Sequence, residues 1–343
     1  MKLVFIFLFI FVFPIMAQAL DADVQKKLFP DEITEGMKYI TVYNQTQLGN
    51  ACFVAATGVG YALDNGYAFA IEKTFKERFP FVFHYFPLYE VKKPTNKVTH
   101  GADSIFMAEI NESTLINGYS NSDFWFLRHK KVIIDLFKPT DEIKTHIEEK
   151  YSEFLQNDKK YVGLHLRTVV QKGELKDFYQ IDLFTTFGVC PEFYTEAMNL
   201  FPEDSIFVVF SDNIKVAKKL LLPLRRKFIF QEDSSVVEDF YLMSMMEKMI
   251  IPSSSFSSFA CFINANPDKI IIKPKNSYGS YMFDPAFTIL NTNYSSLGVK
   301  KWYRICRDEY FKSGFNKMGV SSFIDYKSDD ANSVKDNNSN ESN

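Results

Sequence analysis

The chain has 343 residues, 46% of them apolar and 24% charged, with a formal net charge of -3. That length supports a large core divided between two domains, and the near-neutral balance lacks the basic footprint of a nucleic-acid-binding protein. No Cys-x-x-Cys pair occurs among the four cysteines, and there is neither a low-complexity repeat nor a solenoid period.

The first segment is a targeting sequence. Met1-Lys2 precedes the uncharged, mostly apolar run Leu3 to Ala17, and Ala17-Gln-Ala19 has the small-x-small form of a signal-peptidase site. Residues 1–19 are therefore a signal peptide or a short signal anchor, with cleavage and type II retention both open. Either route delivers the remainder to the secretory lumen, Golgi-resident or secreted, with membrane contact confined to that anchor. Sequons at Asn44, Asn111, Asn293, Asn337 and Asn340 agree with this compartment. Cys52 and Cys261 sit in apolar helical patterns and are expected as buried thiols, whereas Cys190 and Cys306 are the better candidates for a disulfide.

Tyr39 to Tyr43 predicts a strand, followed by a turn-rich loop, a helix of small apolar residues from Ala51 to Leu63, and a second strand from Tyr67 to Ile71. Glu72 to His100 is aromatic and irregular in pattern. A short strand at Leu115 to Tyr119 precedes an amphipathic helix from Asp123 to Phe137. Thr140 is placed to cap a further helix running to about Asn157, with Asp141 and Glu142 in its first turn. The polar stretch after it divides the chain into an amino-terminal α/β domain, residues 20–157, and a second α/β domain, residues 158–323. The tail, 324–343, is polar enough to be disordered. Before it, the segment beginning Lys300-Lys-Trp-Tyr303 is expected to pack back on the domains.

Regular alternation marks the second domain. Strands are expected at Tyr161 to Arg167, Ser205 to Phe210, Lys227 to Phe230, Met249 to Ile251 and Lys269 to Lys273. Helices are expected at Pro191 to Phe201, Asn213 to Leu222, Ser235 to Lys248 and Phe259 to Ile263. Such β-α repetition implies a parallel, doubly wound sheet. Its carboxyl edge would gather His165 and Arg167, then Ser211 and Asp212, then Ser253 to Ser257, where open α/β sheets bind their ligands. An arginine fork suits a phosphate, and serine hydroxyls and free amides at a helix start can hold another. Each feature alone is equally an ion pair, a turn or a cap; together they point to a nucleotide-diphosphate site.

In order and spacing these segments resemble the α-1,2-fucosyltransferases, inverting enzymes that use GDP-fucose. Leu48-Gly-Asn50 is similar to the family's Leu-Gly-Asn-Gln segment and Gly118-Tyr-Ser-Asn-Ser122 to its Gly-Tyr-x-Gln-Ser segment. Gly163-Leu-His-Leu-Arg167 resembles the start of its His-x-Arg-Arg-x-Asp motif. Phe210-Ser-Asp212, Asp239 to Ser244, Ser253 to Ser257 and Ile272-Lys-Pro274 match later segments. The resemblance implies a GT-B-like pair of Rossmann-type domains with the donor held mainly by the second. Arg167 would contact the diphosphate and His165 would orient that loop or the donor. Asp212, Ser254, Ser255, Phe256 and Ser257 would help hold the nucleotide.

No cofactor or metal is implied, only GDP-fucose as donor and a galactose-containing glycan as acceptor. The motif departs at Thr168, where the second arginine is expected, and at Val170, where the aspartate is expected. Lys172 is a candidate for the missing charge, and Glu174 or Asp177 for the missing base. A relative that binds a nucleotide sugar or glycan without turnover is the alternative reading, as is transfer of a different sugar.

Overall fold

The computed structural model describes residues 22–43, 47–100, 107–118, 120–155, 160–168, 190–275 and 282–291, together with Trp302 and Ile305. The apolar amino-terminal run, the loop carrying Val170, Lys172, Glu174 and Asp177, Cys306 and the polar tail lie outside the described residues.

The amino-terminal unit follows from its apolar runs. Helix α1 (Ala22–Leu28) leads to strand β1 (Tyr39–Val42), helix α2 (Leu48–Asn65), strand β2 (Ala68–Ile71) and helix α3 (Lys73–Arg78). Strands β3 (Asn96–His100) and β4 (Thr114–Gly118) complete a parallel sheet of order β2-β1-β4-β3. Alternation puts Ile40 and Val42 of β1 in the core beside α2, whose residues from Ala51 to Ala62 are buried with no charge among them. Gly66, at φ 66°, ends α2 in the left-handed cap that glycine adopts without strain.

Helices α4 (Lys130–Phe137), α5 (Asp141–Lys150) and α6 (Ser152–Leu155) lead to the second unit. It comprises β5 (Tyr161–Leu166), α7 (Pro191–Asn199), β6 (Ile206–Ser211), α8 (Ile214–Leu221) and β7 (Lys227–Phe230). Then come α9 (Val236–Met245), β8 (Lys248–Ile250), α10 (Ser255–Phe262), β9 (Ile270–Pro274) and β10 (Phe287–Leu290). The six strands are parallel in the order β10-β9-β8-β5-β6-β7. The order reverses between β5 and β8, the switch point at which such sheets bind ligands. One face, carrying Val162, Leu164 and Leu166, packs on α7 and α8 and on Trp302. The other, carrying Val208, Phe210 and Ile271, joins α9, α10 and α2 in a core continuous with the amino-terminal sheet. Two Rossmann-type units with parallel sheets make this a GT-B-like α/β architecture.

Several predicted elements change at their ends. The helix expected from Asp123 to Phe137 is two 3-10 turns, Asp123–Trp125 and Leu127–His129, before α4 begins. Buried Asp123 accepts the backbone N–H groups of Phe283 and Asp284 at 2.8 and 2.9 Å, which holds this turn on the second unit. The helix expected through Lys248 stops at Met246, whose carbonyl accepts from Asn264, and Lys248 opens β8 instead. The segment expected as irregular, Glu72 to His100, contains α3 and β3. Helix α5 breaks at Tyr151 (φ −117°, ψ 21°). Thr140 does cap α5, its hydroxyl accepting from the Ile143 N–H at 3.2 Å. Cys52 and Cys261 are buried free thiols as expected; Cys190, expected in a disulfide, is also a buried free thiol.

Candidate functional site

Strand β5 carries the centre of the site. Its register places His165 opposite Phe210 and Leu166 opposite Ser211 on β6, while Leu164 pairs with Ile250 on β8. Arg167 and Thr168 leave β5 at the same edge where Asp212 leaves β6 and Ser253 follows β8. The sequence-predicted groups therefore converge on the switch point.

His165 is 4% exposed, and its ring lies 6.0 Å from that of Phe256. Its Nδ1 has no hydrogen-bond partner among the described residues. Burial pulls the imidazole down to about 4; Arg167 reinforces the effect and Asp212 opposes it. The ring is thus neutral at ordinary pH, and its unpartnered nitrogen can serve a ligand or an adjacent segment. Tyr194 of α7 fixes the strand behind it by donating its hydroxyl to the His165 carbonyl at 3.0 Å.

Asp212 is engaged by the protein. Its Oδ1 accepts the Thr168 N–H at 2.7 Å and the Thr168 hydroxyl at 2.8 Å, and its Oδ2 lies 3.7 Å from Nη1 of Arg167. The Arg167 side chain remains about a third exposed, so its fork has room for an anion.

The serine segment starts α10. Ser254 is the N-cap residue, but its hydroxyl makes no capping bond. Ser254 therefore leaves the orphan amides of that first turn, which carries no acidic residue, without a capping side chain. Ser257 instead turns back to the Ser254 carbonyl at 3.4 Å, and Ser253, 2% exposed, has a hydroxyl oxygen with no partner among the described residues. Helix α2 begins beside α10 and is likewise uncapped, with Gln47 making no side-chain capping bond. The two starts touch at Gly49, where an added Cβ would lie 2.3 Å from the Phe256 nitrogen. Two positive helix ends and one arginine thus sit at the edge of the second sheet, a setting for an anion.

The amino-terminal sheet has its own order reversal, between β1 and β4. Beyond it the chain turns through Gly118 at φ 99°, where a Cβ would strike the His100 carbonyl oxygen, and through Ser120 at φ 38°. Ser120 and Asn121 are buried, and their Oγ and Oδ1 atoms have no partner among the described residues. His100, 1% exposed, is held between Tyr61 and Trp125 and pulled down to about 4 by burial. A groove of about 520 Å³ opens near the β1-β2 edge, with Glu72, Tyr89, Glu90 and Lys92 in its wall.

Sequence reasoning gathered His165, Arg167, Asp212 and Ser254 to Ser257 correctly in space but missed Thr168 as the partner of Asp212. It also missed a buried charge group behind the site. Asp123 is pushed up to about 6 and Lys273 down to about 7, each chiefly by burial, while Asp284 pairs with Lys130 at 2.6 Å. Only the match at Ile272-Lys-Pro274, which contains it, hinted at Lys273, and nothing local marked its partners. Lys172 and Glu174 lie outside the described residues.

Comparison with curated proteins by sequence gives no match. Among solved structures, the chain is similar to an arginine-to-lysine variant of FUT1 from Arabidopsis thaliana in complex with GDP. Identity is 12%, covering 73% of this chain and 72% of that one, with a TM-score of 0.41. It is also similar to the fucosyltransferase NodZ from Bradyrhizobium, at 15% identity over 65% of this chain and 91% of that one, with a TM-score of 0.44. The E. coli heptosyltransferase WaaC with ADP matches at 8% identity over 81% and 99%, with a TM-score of 0.38. These likenesses are distant. The decisive finding is in the sequence: the model of glycosyl transferase family 11 matches residues 108–294, more than half of the chain, from before β4 to beyond β10. The protein therefore belongs to glycosyl transferase family 11, the fucosyltransferase family that its motifs resemble.

Proposed function

We propose that the protein transfers fucose from GDP-fucose to a hydroxyl of a galactose-containing glycan, with inversion. The carrying observation is the convergence of Arg167 and two uncapped helix starts on the switch point of the second sheet. Departure of GDP builds negative charge on its diphosphate. A guanidinium and preset backbone amides stabilise that charge without a metal ion. In this reading Arg167 acts on the diphosphate, while neutral His165 orients the loop or the donor. The first turn of α10, Ser255 to Ser257, receives the remaining phosphate or ribose oxygens. Lys172 and Glu174 are the proposed replacements for the motif's second cation and base.

The acceptor belongs on the amino-terminal side. The groove beside β1 and β2 offers carboxylates, a tyrosine and lysines, which can exchange hydrogen bonds with sugar hydroxyls. Entry to the secretory lumen is supported by the form of residues 1–19 and by the exposed sequon residue Asn111. Among the described residues no helix is long and apolar enough to cross a membrane.

The test is fucosyl transfer from GDP-fucose to a panel of galactosides by the chain from Asp21 onward, with Arg167→Ala as control. Transfer that collapses in the variant supports the enzyme. GDP binding with no turnover on any galactoside supports the non-catalytic alternative, for which the Thr168 substitution is the motivating observation.

A further inference from the structure

Thr168 stands where the fucosyltransferase motif carries its second arginine, and the structure shows what it does there. Its amide and its hydroxyl both donate to one carboxylate oxygen of Asp212, at 2.7 and 2.8 Å. Thr168 is 5% exposed, so the hydroxyl is sequestered from solvent and from any ligand. The second oxygen of Asp212 faces Arg167 at 3.7 Å, too long for a close bidentate pair. One carboxylate thereby ties the ends of two adjacent parallel strands, β5 and β6, immediately around the arginine.

That carboxylate, with one oxygen taking the two Thr168 donors and the Ser211 hydroxyl at 3.5 Å and the other set against a guanidinium, has its accepting capacity directed into the protein. Among the described residues the guanidinium keeps most of its N–H fork for something else. We propose that Asp212 is a positioning residue: acting through Thr168, it fixes the turn that carries Arg167 and aims that side chain at the donor diphosphate, making no direct contact with the nucleotide. The threonine thus replaces the cation of the motif with a strut, and the diphosphate depends on Arg167 for its side-chain charge among the described residues. This inference rests on the nucleotide-diphosphate reading of the site, and its test separates the two.

The experiment is calorimetric binding of GDP and of GMP to the native protein and to Thr168→Ser, Thr168→Val, Asp212→Ala and the double variant Thr168→Val/Asp212→Ala. Melting curves are recorded for each. Loss of the strut should weaken GDP by about tenfold in Thr168→Val, the scale of one charge-assisted hydrogen bond. Asp212→Ala should lose at least as much, and the double variant no more than Asp212→Ala alone, because both changes remove one connection. Thr168→Ser keeps both donors and should stay within about threefold of native. GMP, which lacks the second phosphate, should lose less than GDP.

Additive losses, equal losses for GDP and GMP, or losses that merely follow a lowered melting temperature would overturn the positioning role. The first two would put Asp212 on the nucleoside itself. A native protein that binds neither nucleotide would instead remove the underlying reading of the site.

Discussion

His165 and His100 show how burial alone sets the state of a polar residue. Each is pulled down to about 4 from the 6.5 of an unfolded chain. Between those values the unfolded state binds more protons, so the stability linked to each histidine is complete above about pH 6.5 and is lost as pH falls toward 4. The ceiling is on the order of 3 kcal/mol for each. Asp123 works with the opposite sign, since its raised carboxyl favours the fold below about pH 4 and loses that advantage as pH rises through 6. A difference measurement isolates one group: urea midpoints of His165→Asn should fall less steeply than those of the native protein from pH 6.5 to 4. Parallel curves would show that His165 does not titrate this way. Gly49 makes a second residue-scale prediction. Gly49→Ala drives a methyl into the Phe256 backbone and should cost about 1–3 kcal/mol or more, because the obstacle is main chain and cannot rotate away. A melting temperature equal to native would contradict the contact.

At the scale of elements, what could be read depended on whether a signal was local. Strand β5 was legible because its apolar run ends in His165 and Arg167, and β6 because Phe207 to Phe210 ends in Ser211 and Asp212. The start of α9 falls where the helix was expected to begin, at Ser235, and a capping box fixes it there. In the structure Ser235 Oγ accepts from the Glu238 N–H at 3.2 Å, and the glutamate carboxylate returns to the Ser235 N–H at 2.7 Å. Ser235→Ala should therefore cost about 0.5–2 kcal/mol, seen as a lower urea midpoint with an unchanged slope. No change would mean that Lys150 and His146, which also bind Glu238, hold that helix start alone. The broken helix after Ser122 was not legible. Its cause is the pair of N–H groups at Phe283 and Asp284, about 160 residues away in the chain. Strand β3 was hidden for a related reason: Asn96 to Thr99 alternate between half-buried and exposed, a polar pattern that becomes a strand only beside β4.

For the whole molecule, two switch points in one connected core are the central result. Phe259 of α10 meets Phe53 of α2 at 5.2 Å and Phe137 of α4 at 4.8 Å, so the two sheets share an aromatic junction. That junction brings the starts of α2 and α10 together beside Arg167. The family resemblance implied two Rossmann-type units. The contact between them, through Gly49 and the Phe256 backbone, could not be inferred because a glycine in a turn-rich segment has many uses. The aim of Arg167 was equally hidden, since Thr168 looked only like a lost cation. The most direct test of the account is calorimetric titration of the chain from Asp21 onward with GDP, set beside the same titration of Arg167→Ala. The account predicts binding by the native protein and a loss of at least about tenfold in the variant, the cost of removing a charge-assisted partner of the diphosphate. No GDP binding, or binding that survives the loss of Arg167 intact, would contradict it.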